Sequence, residues 1–176
     1  MNIFVTLIKF VNYLMLDKYP ELTGKVLTLG TDFTKVDFTK PLVIVGLDTI
    51  ANIGSSSEMR DINPTQVQIK HQTLFSGSLS LDFHSLKDEN MLAYTHAVYF
   101  CNAIKTKKVR EFFIDNPAAK QFSIKQADKI LNLNEISGAN HIARFLVKFN
   151  VVFWEEMEED VLGCTAKDIL KINYQE

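Results

Sequence analysis

The chain is short of the residues that usually announce chemistry. It has two cysteines, one tryptophan and four histidines among 176 residues. Cys101 and Cys164 share no motif spacing and read as two idle thiols in a reducing compartment. His71, His84, His96 and His141 are nowhere paired at i, i+3 or i+4, and no acidic neighbour completes a ligand set. GxSxG, HExxH, Walker and dinucleotide glycine patterns are all missing. Gly54-Ser55-Ser56-Ser57 lacks the second glycine and the Lys-Ser/Thr pair of a phosphate cradle, so it reads as a flexible loop. No catalytic residue, cofactor site or metal site is expected.

Other shortages bound the class. Seven glycines and four prolines, with 47% hydrophobic residues, argue against disorder or low complexity. A formal net charge of −2 supplies no general attraction to nucleic acid or to an anionic membrane. No uncharged stretch approaches the roughly 18 residues that a helical span requires. Residues 1–19 are apolar but carry Lys9, Asp17 and Lys18, and no small-residue cleavage site follows, so a signal peptide is not expected. One domain of ordinary size remains.

What is present is alternation. In 142–154, Ala143, Phe145, Val147, Phe149, Val151 and Phe153 oppose Arg144, Lys148 and Asn150. In 72–84, Thr73, Phe75, Gly77, Leu79, Leu81 and Phe83 oppose Ser76, Ser78, Ser80, Asp82 and His84. A period of two predicts two long strands with one apolar face each, the first running over 67–84 and the last over 142–154. Residues 2–18 carry a helical stripe of Phe4, Leu7, Ile8, Val11, Leu14 and Met15, ended by Tyr19-Pro20. A second helix is expected over 85–105, capped by Ser85, with Met91, Tyr94, Val98, Cys101 and Ile104 buried. Short strands are expected at 25–29 and 42–47, a short helix at 109–114 and a weak strand at 122–133. Gly77 suggests a bulge. Residues 48–64 read as one long loop, of the kind that carries function. The pattern predicts a single-domain α+β fold: a mostly antiparallel sheet of about four strands, with two main helices packed on one face.

Two charged blocks stand out. Glu155, Glu156, Glu158, Glu159 and Asp160 form an acidic run, read either as a solvated strand exit or as a rim facing a partner. Lys105, Lys107, Lys108 and Arg110 form a basic cluster, in part a helix C-terminus and in part a docking surface for an acidic neighbour. Head-to-tail contact between the two would close a ring. Arg144 faces away from the phenylalanine row and is expected to pair with Asp82 or Asp128, or to lie exposed.

The order of these elements resembles that of the tail terminator, or neck terminator, proteins of tailed bacteriophages. The features concerned are an opening helix, the Pro-led strand 41–47, and a loop leading to Ser78-Leu79-Ser80-Leu81-Asp82-Phe83. They continue with the helix from Leu86, the segment Val109-Arg110-Glu111-Phe112-Phe113, and His141-Ile142-Ala143-Arg144-Phe145 opening the last strand. The resemblance covers 1–156, and 157–176 is a C-terminal extension with a short helix at 165–172 that departs from the family. It implies a structural virion protein and no enzyme. Such a protein assembles in the host cytoplasm as a ring, typically a hexamer. The ring caps the tail tube, stops its polymerisation and offers a joining surface to the head connector, while DNA passes the lumen without specific binding. The implied contacts with a neighbour or the tube are Ser55, Ser56, Ser57, Glu58, Arg60 and Asp61 of the loop, Lys105, Lys107 and Lys108, Arg144, and Glu155, Glu156, Glu158 and Glu159. Three rival readings are another connector or tail completion protein, a small enzyme using Asp82, His84 and Arg144 from neighbouring strands, and a host regulator that binds small ligands.

Overall fold

The structure, a computed structural model, describes residues 2–38, 40–63, 66–86, 90–126, 129–137 and 140–162. Helix α1 spans Ile3–Met15, and Asn2 caps it by accepting from the Phe4 amide at 2.8 Å. Strand β1 is Val26–Thr28, followed by a 3-10 turn at Phe33–Lys35. Strands β2 (Leu42–Asn63) and β3 (Gln66–Leu86) follow directly, then helices α2 (Asn90–Ala103) and α3 (Lys108–Asp115). Strands β4 (Phe122–Gln126), β5 (Leu131–Asn132), β6 (Glu135–Ser137) and β7 (Asn140–Leu162) complete the described chain.

The expected four-stranded sheet with two helices is corrected. The described residues form a seven-stranded mixed sheet with three helices. Its order is β1-β2-β3-β7-β4, with β5 and β6 also paired to β7; β1 runs parallel to β2 and every other pairing is antiparallel. The weak strand expected at 122–133 is two strands, β4 and β5. The expected turn after Ser137 falls on 138–139, outside the described residues, as do Asp128, Cys164 and the helix expected at 165–172.

Odd-numbered residues of β3 and β7 face the helices. Leu79, Leu81 and Phe83 join Ala143, Phe145, Val147, Phe149, Val151 and Phe153 in one core with α1, α2 and α3. Phe10 contacts Phe100, Phe112 and Phe122 edge-on at 5.1 to 6.3 Å, so aromatic rings join the helices to β4. The stripe expected on α2 is rotated. Met91 and Tyr94 are 68% and 41% exposed, while Ala93, His96, Ala97, Phe100 and Cys101 are buried. A row of alanines lets this helix lie close to the sheet, and Phe100 fills the remaining space. Ser85, expected as its cap, is instead a buried residue of β3. The switch from period two to period 3.6 comes a few residues later than the Ser-Leu-Lys-Asp text suggests.

Candidate functional site

The largest departure from expectation lies in residues 48–63, which form no loop. They are the outer half of β2, paired to β3 from Asp48↔Ser78 to Asn63↔Gln66. The acidic block 155–160 is likewise no strand exit, because β7 pairs with β3 without a register shift from Leu86↔Ile142 to Gln66↔Leu162. The result is a three-stranded arm made of the outer halves of β2, β3 and β7. On β2 and β7 its residues are mostly serines and charges, so the alternation that marks a half-buried strand is missing from them, whereas on half-buried β3 Val67 and Ile69 alternate with Gln68 and Lys70. A strand wetted on both faces has no reason to alternate.

The arm runs beyond the helices. From Asp48 to Asn63 the β2 residues are exposed, apart from half-buried Gly54 and Met59. β1 pairs only with Val43 to Val45, and β4 only with Phe149 to Phe153. Beyond those positions neither outer edge has a strand partner among the described residues. Three bulges on β2, at Asp48/Ala51, Asn52/Gly54 and Asp61/Asn63, interrupt that edge. Bulges and charges are the usual devices that keep an open edge from indiscriminate pairing. The bulge expected at Gly77 lies on β2 across from it. A Cβ on Gly77 would stand 3.1 Å from Leu47 Cδ1, so the missing side chain makes room for β2. At the first bulge Thr49 takes φ +53°, a strained conformation for a β-branched residue.

Polar contacts hold the arm together internally. Ser57 Oγ lies 2.9 Å from His71 Nδ1, and Lys70 reaches Glu156 at 3.1 Å. Gln72 Nε2 donates to Glu156 Oε1 at 2.8 Å. Lys70 and Gln72 together hold the Glu156 carboxyl below the usual carboxylate range. Lys120 pairs with Glu155 where the arm meets the body. Ser55, Ser56, Glu58, Arg60 and Asp61 stand exposed on β2, and Glu158 and Glu159 on β7. Ten of the residues singled out from the sequence thus share one element, the set 55–61 on one edge and the set 155–159 on the other.

The basic cluster is separate from the arm and partly neutralised within the body. Lys107 pairs with Glu111 at 3.0 Å, and Lys108 with Asp17 at 2.9 Å, tying α3 to the end of α1. The Lys108 bridge pulls the Asp17 carboxyl down and its own ammonium up. Lys105 is exposed.

At the arm's root lies a groove of about 1040 Å³. Phe75 and Phe153, stacked at 5.7 Å, line it together with Phe4, Leu47, Ile50 and Trp154. Sequence reasoning placed Phe75 and Phe153 in the core and overlooked Ile50 and Trp154. The available signal was the presence of large apolar residues in otherwise polar text.

On the sheet face opposite the helices, Asp82, His84 and Arg144 do meet. Arg144 Nε and Nη2 lie 2.7 and 2.6 Å from Asp82 Oδ2, so of the alternatives open from the sequence, pairing with Asp82 is the one found. His84 Nε2 is 3.2 Å from Asp82 Oδ1, near enough for attraction but not aligned as a hydrogen bond. Burial pushes the Asp82 carboxyl up, yet His84 and Arg144 outweigh it and leave the group below its ordinary range. These residues line a recess of about 520 Å³ with Phe33, Phe38 and Lys148. Ser80, the nearest hydroxyl on this face of β3, is four strand residues from His84, about 13 Å. That separation is too long for a nucleophile and its base. Elsewhere His96 is fully buried, with Nε2 3.2 Å from Glu21 Oε1, and burial lowers its pKa.

Among the described residues no group of three His, Cys, Asp or Glu side chains is placed to hold a metal, and no helix is long and apolar enough to cross a membrane. No protein-family model matches the chain, and no curated protein matches its sequence.

Proposed function

We propose that this chain is a ring-forming structural subunit of a tailed bacteriophage that caps the tail tube and presents a joining surface to the head. One observation carries the assembly part: a three-stranded arm whose outer strand β2 is largely exposed and whose two edges have no strand partner among the described residues. A sheet normally needs a second layer to bury its apolar residues. Here Ile53, Ile62 and Met157 stand on the arm 55%, 49% and 62% exposed. A neighbouring subunit supplies the missing layer. The identity of that assembly rests on the resemblance to tail terminators given by the order of the elements.

The mechanism is steric and interfacial. One rim of the ring matches the last tube ring and blocks further addition; the other rim offers a different surface to the connector. No bond is made or broken. Acidic strands facing a lumen repel phosphate, so DNA slides through without sticking. The test is negative-stain imaging of the protein alone and with the tail tube protein of the same phage. Closed rings, and tubes of limited length bearing a ring at one end, are the expected result. A protein that stays monomeric at high concentration and leaves tube growth unchanged ends this reading, whereas rings that bind the connector and ignore the tube would reassign it as another neck component.

A further inference from the structure

We infer, independently of the ring reading above, that the recess on the sheet face opposite the helices binds a neutral planar heterocycle carrying an amino group, the class to which adenine, guanine and cytosine belong. Strand register builds the recess. Ile44, Asp82 and Leu146 form one row across β2, β3 and β7, and Gly46, Ser80 and Lys148 form the next, all six positions on one face. Asp82 thus stands between two aliphatic side chains on a face that no helix covers. Residues 29–38 cover part of it, with Phe33 and Phe38 6.2 Å apart and Phe38 5.6 Å from His84. Gly46 lets this cover approach the sheet. A Cβ there would stand 2.8 Å from Leu29 Cδ1 and 2.5 Å from Ser80 Oγ. The space these residues line, about 520 Å³, accommodates a small molecule.

Unmet hydrogen bonds define what that molecule must offer. Asp82 and His84 are only 7% and 6% exposed. Yet Asp82 Oδ1 and both ring nitrogens of His84 have no hydrogen-bond partner among the described residues. Buried polar groups are nearly always satisfied, and both of these residues line a cavity. Arg144 holds Asp82 Oδ2 through both Nε and Nη2, so Oδ1 is the oxygen a ligand finds. An ionised carboxylate oxygen only accepts, so the ligand must donate. His84 beside it gives or takes a hydrogen bond according to its tautomer. Adenine, guanine and cytosine each set an exocyclic amine beside a ring nitrogen, which meets both demands.

Charge and shape narrow the class further. Asp48 and Asp82 line the recess against Arg144 and Lys148, two charges of each sign. A cation would compete with Arg144 for Asp82, and an anion would face the Asp82 carboxylate, which leaves a neutral donor. Phe33, Phe38, Ile44 and Leu146 offer rings and aliphatic surface to a flat apolar face. A sugar or other polyol would leave those side chains against hydroxyl groups.

The experiment titrates the full chain with adenosine, guanosine and cytidine, each beside its counterpart lacking the exocyclic amine. Calorimetry gives the affinity, and NMR of the His84 ring protons gives the place. At least one of the three is expected to bind with a Kd of about 1 mM or tighter and to shift those protons, its counterpart binding about tenfold more weakly. Phe38→Ala, at a half-buried position outside the sheet, is expected to keep its circular dichroism and weaken binding about tenfold. No binding by any of the three would leave water as the partner of Asp82 and His84 and overturn the assignment. Equal affinity with and without the amine, or binding that leaves the His84 protons unmoved, would overturn it as well.

Discussion

Asp82 is the residue whose ionisation matters most to this sheet. Its carboxylate is nearly buried, yet it is held charged by Arg144 from the adjacent strand and by His84 two residues along its own. Removing one partner of a buried pair leaves the other uncompensated, a loss of about 2–3 kcal/mol for a guanidinium that still reaches water. Asp82→Asn is therefore expected to lower stability by about that much at pH 7. The pH dependence has a definite sign. The folded pKa lies below the ordinary carboxylate value of about 3.9, so the contribution is complete above that value and is lost as pH falls through the folded pKa. Urea unfolding at pH 7 and pH 3 checks this: the gap between variant and parent should narrow at pH 3, and an equal gap at both would mean that packing, not charge, holds the site. Arg144 was legible as a lone charge with Asp82 among its partners. His84 was grouped with them from the sequence, but its burial was not legible, because strand text does not tell which face a loop such as 29–38 will cover.

At the scale of elements, the arm has a local stability of its own. Near the core, β3 is backed by helices and flanked by paired strands; on the arm, β2 is an edge strand broken by three bulges. Edge amides without apolar cover open without global unfolding. Native-state hydrogen exchange is expected to show the amides of 54–60 exchanging at least a hundredfold faster than those of 79–83. Equal protection in dilute protein would mean that the arm is already covered. The inner halves of the long strands were readable because burial on one side forces alternation. The outer half of β3 was readable from Val67 onward, but that of β2 was not, because Ser55, Ser56, Ser57 and Glu58 form a strand only through pairing with Thr73, Gln72, His71 and Lys70. That pairing is nonlocal, and serines and glycine in text look like a loop.

For the whole molecule, the governing fact is the division between an acidic arm and a body of opposite net charge. In the proposed ring, contact through that division would be electrostatic at its rim and apolar at its centre. Raising sodium chloride from 50 to 500 mM shortens the screening length several-fold. The rate of ring formation is expected to fall steeply over that range, while rings already formed persist. Stopped-flow light scattering measures it, and a salt-independent rate would leave apolar contact as the whole of the proposed recognition. The same division explains why the basic cluster was only half informative. Lys107 and Lys108 are satisfied by Glu111 and Asp17 inside the chain, a pairing that depends on how α3 meets α1.

By itself the sequence determined the one-sided strands 67–84 and 142–154, the opening helix and the scarcity of catalytic residue types, since each follows from local periodicity or from composition. Only the tertiary structure decided that the sheet has seven strands, that α2 turns its alanines inward, and that 48–63 and 155–160 are the two edges of one arm. Those outcomes depend on pairing between residues as far apart in sequence as Gln66 and Leu162, where no local pattern reaches and the backbone hydrogen bonds of the partner strand make the choice.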